Sequence, residues 1–313
     1  MVLGIFAVAL LVALAACAPA STPTPIPTPT PTPIPSTAPI PAGFARPEIL
    51  VDTAWLARNL ENPKVRIVDL RAADKYQEGH IPGSVNLLTS QITATVGGIV
   101  NMAPLPDDFA KLMEQAGVGN DTQVAIVDDG NMLWASRLLW TLDYYGHKNS
   151  VVLHGGQAAW VADGREVTRR APVVTAAKFT PSPTPALVAD ISEVLQGLGK
   201  PGVALLDNRS AKEYTGEDVR SKRGGHIPGA VNIDWTSHLN QGSVPTLKSP
   251  AELRSMYEAA GITKDKEVVS YCQTAIRATH GYMVLRLLGY DAVSVYDGSW
   301  VEWGNRDDTP VEK

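Results

Sequence analysis

Short apolar runs alternate along most of the chain with stretches in which apolar residues recur every three or four positions. Residues 65–70, 124–127 and 150–153 are such runs and read as buried strands. Residues 109–116 and 134–145 carry helical spacing. The same succession returns later. Residues 203–206, 267–271 and 292–296 read as strands, and 251–260 and 275–288 as helices ending near Gly261 and Gly289. Strands that alternate with helices predict an α/β fold, with mainly parallel sheets covered by helices on both faces. Ligands of such folds bind beyond the carboxyl ends of the strands.

The amino-terminal part does not follow this pattern. Residues 2–16 are apolar or small and uncharged, a run shorter than the roughly 20 residues of a membrane span. It fits the apolar core of a secretory signal peptide. It ends Leu14-Ala15-Ala16-Cys17, which resembles the lipobox of bacterial lipoproteins. That resemblance implies cleavage before Cys17 and a lipid on its thiol, so residues 1–17 are expected to be a lipoprotein signal. No Lys or Arg precedes the run, which a start upstream of Met1 would explain; the other reading is a signal peptide with an incidental cysteine. Residues 18–47 are rich in Pro, Thr and Ser. Such chain is extended and has little to bury, so it reads as a stalk. The expected location is extracytoplasmic, anchored to the membrane by lipid.

The remainder is a duplication. Gly79-His80-Ile81-Pro82-Gly83-Ser84-Val85-Asn86 recurs as Gly225-His226-Ile227-Pro228-Gly229-Ala230-Val231-Asn232, 146 positions later. Val68-Asp69-Leu70-Arg71 matches Leu206-Asp207-Asn208-Arg209 at an offset of 138, and Gly155 and Trp160 match Gly298 and Trp303 at 143. This period is too long for a solenoid. It predicts two domains, 48–165 and 186–313, joined by a Pro-rich linker over 166–185. Ile-Pro-Gly suits a type II turn, so His80 and His226 read first as parts of a repeated turn rather than as catalytic groups.

Composition narrows the chemistry. The 313 residues are 44% hydrophobic and 19% charged, with a formal charge of -5, which gives no case for nucleic-acid binding. Two cysteines exclude a disulfide framework and any multi-cysteine zinc site. The six histidines show no metal-ligand spacing, and no Gly-rich phosphate loop is present. No cofactor and no metal are expected.

Cys272 directly follows the predicted strand 267–271, and Cys272-Gln273-Thr274-Ala275-Ile276-Arg277 leads into a helix. Helix N-termini and rows of backbone N–H groups stabilise anions, the setting in which a cysteine acts as a thiolate nucleophile. The alternative is an inert buried cysteine. The duplication offers a control. The 143 offset aligns Asp129 with Cys272 and Trp134 with Arg277, so the first copy has neither thiol nor loop arginine.

These motifs together resemble the rhodanese superfamily, in particular its tandem-domain sulfurtransferases. The resemblance covers roughly residues 47–313. It rests on the paired GHIPG(S/A)VN motifs, the Asp-x-Arg after the first strand of each copy, the loop cysteine of the second copy and the closing Gly-x-x-x-x-Trp segments. It implies an inactive first domain and a catalytic second one. Cys272 would take the outer sulfur of thiosulfate, release sulfite, carry a persulfide, and pass the sulfur to cyanide or a thiol. The backbone amides of Gln273, Thr274, Ala275, Ile276 and Arg277 would hold the anion, and Arg277 would help bind the donor. Arg209 would lie near the loop, or else serve as a structural partner of Asp207. The segment Arg220-Ser221-Lys222-Arg223, absent from the first copy, reads as a solvated loop or as added positive potential.

The loop also departs from the family. Gln273 and Thr274 match neither the basic residues common in thiosulfate-specific members nor the Cys-Gly-Ser-Gly of mercaptopyruvate-specific ones. Ala275 stands where glycine is usual, which would tighten the cradle. The donor, thiosulfate or 3-mercaptopyruvate, stays open. Two other classes compete: a non-catalytic envelope module that binds partners or carries sulfur, and a phosphatase or arsenate reductase. The latter need Cys-x5-Arg around a tetrahedral oxyanion, and the loop here is Cys-x4-Arg.

Overall fold

The structure, a computed structural model, describes Met1 and residues 36–313. The signal segment and Cys17 lie outside the described residues. Residues 36–313 belong to one compact unit.

The first copy contains β1 (Leu50–Val51), α1 (Thr53–Arg58), β2 (Val65–Asp69), α2 (Ala73–Glu78), β3 (Val85–Asn86), the hairpin β4 (Ala94–Val96) and β5 (Ile99–Met102), α3 (Pro106–Gln115), β6 (Gln123–Val127), α4 (Leu133–Tyr144), β7 (Ser150–Leu153) and α5 (Gly156–Ala162). The second contains β8 (Val188–Ala189), α6 (Ile191–Gly197), β9 (Val203–Asp207), α7 (Ala211–Thr215), β10 (Val231–Asn232), the hairpin β11 (Leu239–Asn240) and β12 (Thr246–Leu247), α8 (Pro250–Ala259), β13 (Glu267–Tyr271), α9 (Ile276–Leu287), β14 (Val293–Tyr296) and α10 (Ser299–Trp303). The sheet orders are β1-β7-β6-β2-β3 and β8-β14-β13-β9-β10, so the two copies share one topology. Every pairing within these two sheets is parallel. Their central strands are buried after the first residue and mostly apolar, because helices cover both faces. The predicted strands and long helices fall within one or two residues of those observed, apart from the start of α3, which lies three residues earlier at Pro106.

Local chemistry sets the helix ends. Ser249, Ser210 and Asp190 each form a capping box with a Glu three residues on. Both α4 and α9 stop at a left-handed glycine, Gly146 or Gly289, whose φ of 81° or 84° costs an L side chain most.

The two copies are not independent globules. Helices α4 and α9 pack against each other, and one hydrophobic cluster runs from Leu138 and Leu142 to Ala278, Tyr282 and Leu285. Helix α9 is buried on nearly all sides, which matches its lack of a polar face. Ser136 and Thr279, equivalent positions 143 residues apart, meet at 3.4 Å between their hydroxyls, so a pseudo-twofold axis passes between them. The hairpins obey the same symmetry. Ala103, just past β5, donates its N–H to Asp297 of the second copy at 2.7 Å. Leu247 of β12 donates to Nε2 of His154, the equivalent residue of the first copy, at 2.9 Å.

The expected stalk ends earlier than residue 47. Thr37 N–H bonds Asp163 at 2.6 Å, Ala38 is fully buried with its carbonyl 3.0 Å from His154 Nδ1, and Ala45 N–H bonds Leu287 O at 2.9 Å. Residues 36–47 are thus part of the folded body, held by small apolar side chains and backbone bonds. The linker is likewise fastened down. Phe179 is buried, and Ser182 and Thr184 donate to the carbonyls of Tyr145 and Tyr144.

Candidate active site

Cys272 lies at the carboxyl end of the central strand β13 and is 1% exposed. The loop after it is stapled from one side by the start of α10. The Ser299 hydroxyl accepts the N–H groups of Cys272 (3.2 Å) and Ala275 (3.0 Å) and donates to Tyr296 O (2.8 Å). That uses its one proton and both lone pairs. Trp300 and Val301 donate their N–H groups to the carbonyls of Cys272 and Gln273, both at 2.9 Å. Ala275 takes the left-handed conformation, φ 62°, and caps α9. A non-glycine residue there costs about 1 kcal/mol, which the loop's hydrogen bonds offset. Ile276 bonds back to Thr274 O, while the amides of Gln273, Thr274, Arg277 and Ala278 take no acceptor among the described residues. Unpaired amides in such a loop, at the amino end of a helix, can hold an anion.

Arg277 reaches the same place. Its two Nη atoms hold the carboxylate of Glu213 at 2.6 and 2.8 Å. Burial opposes the guanidinium's charge, but the Glu213 carboxylate and the Cys272 sulfur beside it hold its proton more firmly than usual. Glu213 is itself 1% exposed. Burial alone would raise its pKa, yet the hydrogen bonds and charge of Arg277 and the bonds from Ser210 win and pull it down to about 2.

Other residues singled out from the sequence are placed differently. The side chain of Gln273 turns to the inserted segment, with Nε2 3.1 Å from Ser221 Oγ and 3.3 Å from Arg220 O. Ala275 and Ile276 are buried and Thr274 is half-buried. Arg209 is committed to other partners. Its Nε and Nη2 grip Asp207, Nη2 also bonds Gly225 O at 2.7 Å, and the guanidinium lies 4.4 Å over the Trp300 ring. Of its two readings, the structural partner of Asp207 matches this geometry, and Arg71 repeats the grip on Asp69 and Gly79 O. The insertion is not a free solvated loop. Lys222 pairs with Asp307, and Arg223 bonds the carbonyls of Thr309 and Trp303. His80 and His226 stack on Tyr76 and Tyr214 and bond their carbonyls, as turn residues would.

Two residues escaped the sequence reading, Ser299 and Glu213. Glu213 had one visible signal, the Ser-x-x-Glu cap, which explains it without reference to Arg277. Among the described residues no His, Cys, Asp and Glu cluster could hold a metal ion, and no helix is long and apolar enough to cross a membrane.

Comparison with known proteins agrees with this architecture. A family model for the rhodanese-like domain matches residues 52–163 and 190–306. The chain is 39% identical over 285 residues to the sulfur carrier protein TtuD of Thermus thermophilus, covering 87% of this chain and 99% of that one. It is 35% identical over 269 residues to the thiosulfate sulfurtransferase of Azotobacter vinelandii, covering 86% and 98%. Among solved structures, the 3-mercaptopyruvate sulfurtransferase SseA of Escherichia coli superposes with a TM-score of 0.74 at 29% identity, over 80% of this chain and 98% of that one. The chain belongs to the rhodanese-like family, as a two-domain sulfurtransferase.

Proposed function

We propose that Cys272 carries sulfane sulfur between a small anionic donor and a nucleophilic acceptor. The thiolate attacks the outer sulfur of thiosulfate. The Sγ–S bond forms as the donor's S–S bond breaks, and sulfite leaves with the electron pair. Cyanide or a thiol then takes the outer sulfur from the persulfide and restores the thiolate. With 3-mercaptopyruvate, the C–S bond breaks instead, and its electron pair leaves with the enolate of pyruvate, which takes up a proton. The observation that carries the reading is a buried thiol at a strand's carboxyl end, followed by a loop with unpaired amides and adjoined by Arg277. The Azotobacter relative's name favours thiosulfate, and the Thermus relative's name favours a sulfur carrier.

The test is an intact mass of the protein from residue 36 after incubation with each donor. A gain of one sulfur, removed by cyanide and absent in Cys272→Ser, is expected. No adduct from either donor overturns the reading. For the amino terminus we propose lipid attachment at Cys17 and extracytoplasmic anchoring, supported by the Leu-Ala-Ala-Cys motif and the Pro/Thr-rich tract after it. Labelled lipid should enter the full chain and be lost in Cys17→Ala; label kept by the variant refutes it.

A further inference from the structure

Arg277 is the one cation in the six-residue loop, and it is not free to meet a donor at full charge. Both its Nη atoms are committed to Glu213. Glu213 also lies 3.6 Å from Arg220 Nη1, and Arg220 is held by Asp218 at 2.6 Å. Two guanidiniums and two carboxylates therefore cancel beside the thiol. The Glu213 carboxylate is buried, so solvent and salt screen it little.

The first copy shows that this position faces the loop in both domains. At the 138 offset that aligns Asp69 with Asp207, Lys75 stands where Glu213 stands. Lys75 reaches Asp129, the residue in place of the cysteine, at 2.8 Å. The same helical position supplies a counter-charge to each loop, with the sign reversed.

We infer that Glu213 is a specificity-determining residue: by neutralising Arg277 it holds down the affinity for doubly charged donors relative to singly charged ones. The inference rests on the sulfur-transfer reading above and names the donor property that the site selects. It differs from a purely structural role in the cap of α7, which would be blind to donor charge.

The experiment compares wild type, Glu213→Gln and Arg220→Ala, with thiosulfate (two charges) and 3-mercaptopyruvate (one carboxylate) as donors and sulfate as an inert dianion. Gln keeps one acceptor oxygen for Ser210 and Arg277 Nη1, and it removes the charge together with the second oxygen, which takes Arg277 Nη2. In Glu213→Gln the KM for thiosulfate should fall about tenfold and that for 3-mercaptopyruvate about threefold or less, with kcat nearly kept. Sulfate should inhibit this variant more strongly, and the thiosulfate KM should depend more steeply on salt. Arg220→Ala removes a half-exposed cation, so the fold is safe, and the thiosulfate KM should rise two- to threefold, roughly. A rise of both KM values in Glu213→Gln, or an equal change for both donors, overturns the inference and leaves sulfur transfer standing. If wild type accepts sulfur from neither donor, the transfer reading falls and this inference falls with it.

Discussion

The loops at 128–134 and 271–277 occupy equivalent places in the two copies and have opposite chemistry. Met132 and Ala275 sit at equivalent positions with φ 62° in both, each capping the long helix that follows. In the first copy the Asp128 carboxylate turns into the cradle and takes the amides of Gly130, Met132 and Ala135. In the second copy Tyr271 replaces Asp128, and a hydroxyl from outside the loop, Ser299, takes two amides and leaves others open. Gly156 stands opposite Ser299, and a Cβ there would lie 2.5 Å from Asp128 O. One copy thus fills its loop with its own carboxylate, and the other leaves amides open. A loop conformation alone does not make a site; what matters is who satisfies its amides.

The largest effect should come from making the second loop resemble the first in its support. Ser299→Gly keeps the left-handed backbone at φ 50° comfortable and removes the CH2OH side chain with its hydroxyl. Cys272 and Ala275 lose their acceptor, and kcat/KM for sulfur loading should fall on the order of 100- to 1000-fold. A loss below about threefold would show that the staple is dispensable.

Next is a pH effect confined to the first copy. Burial raises Asp128 from 3.8 to about 6, although three backbone amides pull it down. The folded state therefore holds this proton more tightly than the unfolded chain does. The group is least costly below about pH 4, and stability falls as pH rises from there to about 6, by up to roughly 3 kcal/mol. Asp128→Asn should flatten that slope in urea melts run between pH 4 and 7. Glu213 behaves in the opposite sense. Its lowered value of about 2 means that its contribution is present above about pH 4.5 and fades as pH drops toward 2. Parallel slopes in wild type and Asp128→Asn would remove the contrast.

Smaller still, Arg277→Lys loses the two-pronged grip on Glu213 and should lower kcat/KM roughly tenfold, while Cys272 still loads. The smallest effect belongs to Lys75→Ala. The Lys75–Asp129 pair is half-exposed, so its loss should change stability by less than about 1 kcal/mol and leave sulfur loading untouched.

Much of this was legible before the fold was known. Apolar runs marked the strands because parallel strands are buried on both faces, and the 143 offset paired Asp129 with Cys272 because the duplication kept its loop length there. Ser299 was not legible, since it acts through a hydroxyl on backbone groups 27 and 24 residues away. Glu213 meets Arg277 across 64 residues, a pairing that only the β9–α7 turn beside β13 creates. Arg209 stayed ambiguous because Asp207 and an incoming anion are equally good partners for a guanidinium. The boundary at residue 47 differs from the structure because proline content hides the two buried anchors, Ala38 and Phe44, that tie residues 36–47 to the folded body.

The hydrophobic cluster that runs through α4 and α9 also fixes how the molecule comes apart. Neither copy can open without exposing the face of the other, so melting should be a single calorimetric transition whose van't Hoff and measured enthalpies agree. A cavity cut into the first copy, such as Leu138→Ala, should then lower the melting temperature of the catalytic copy by the same amount as its own. The copy without a thiol is, thermodynamically, half of the working enzyme's melting unit.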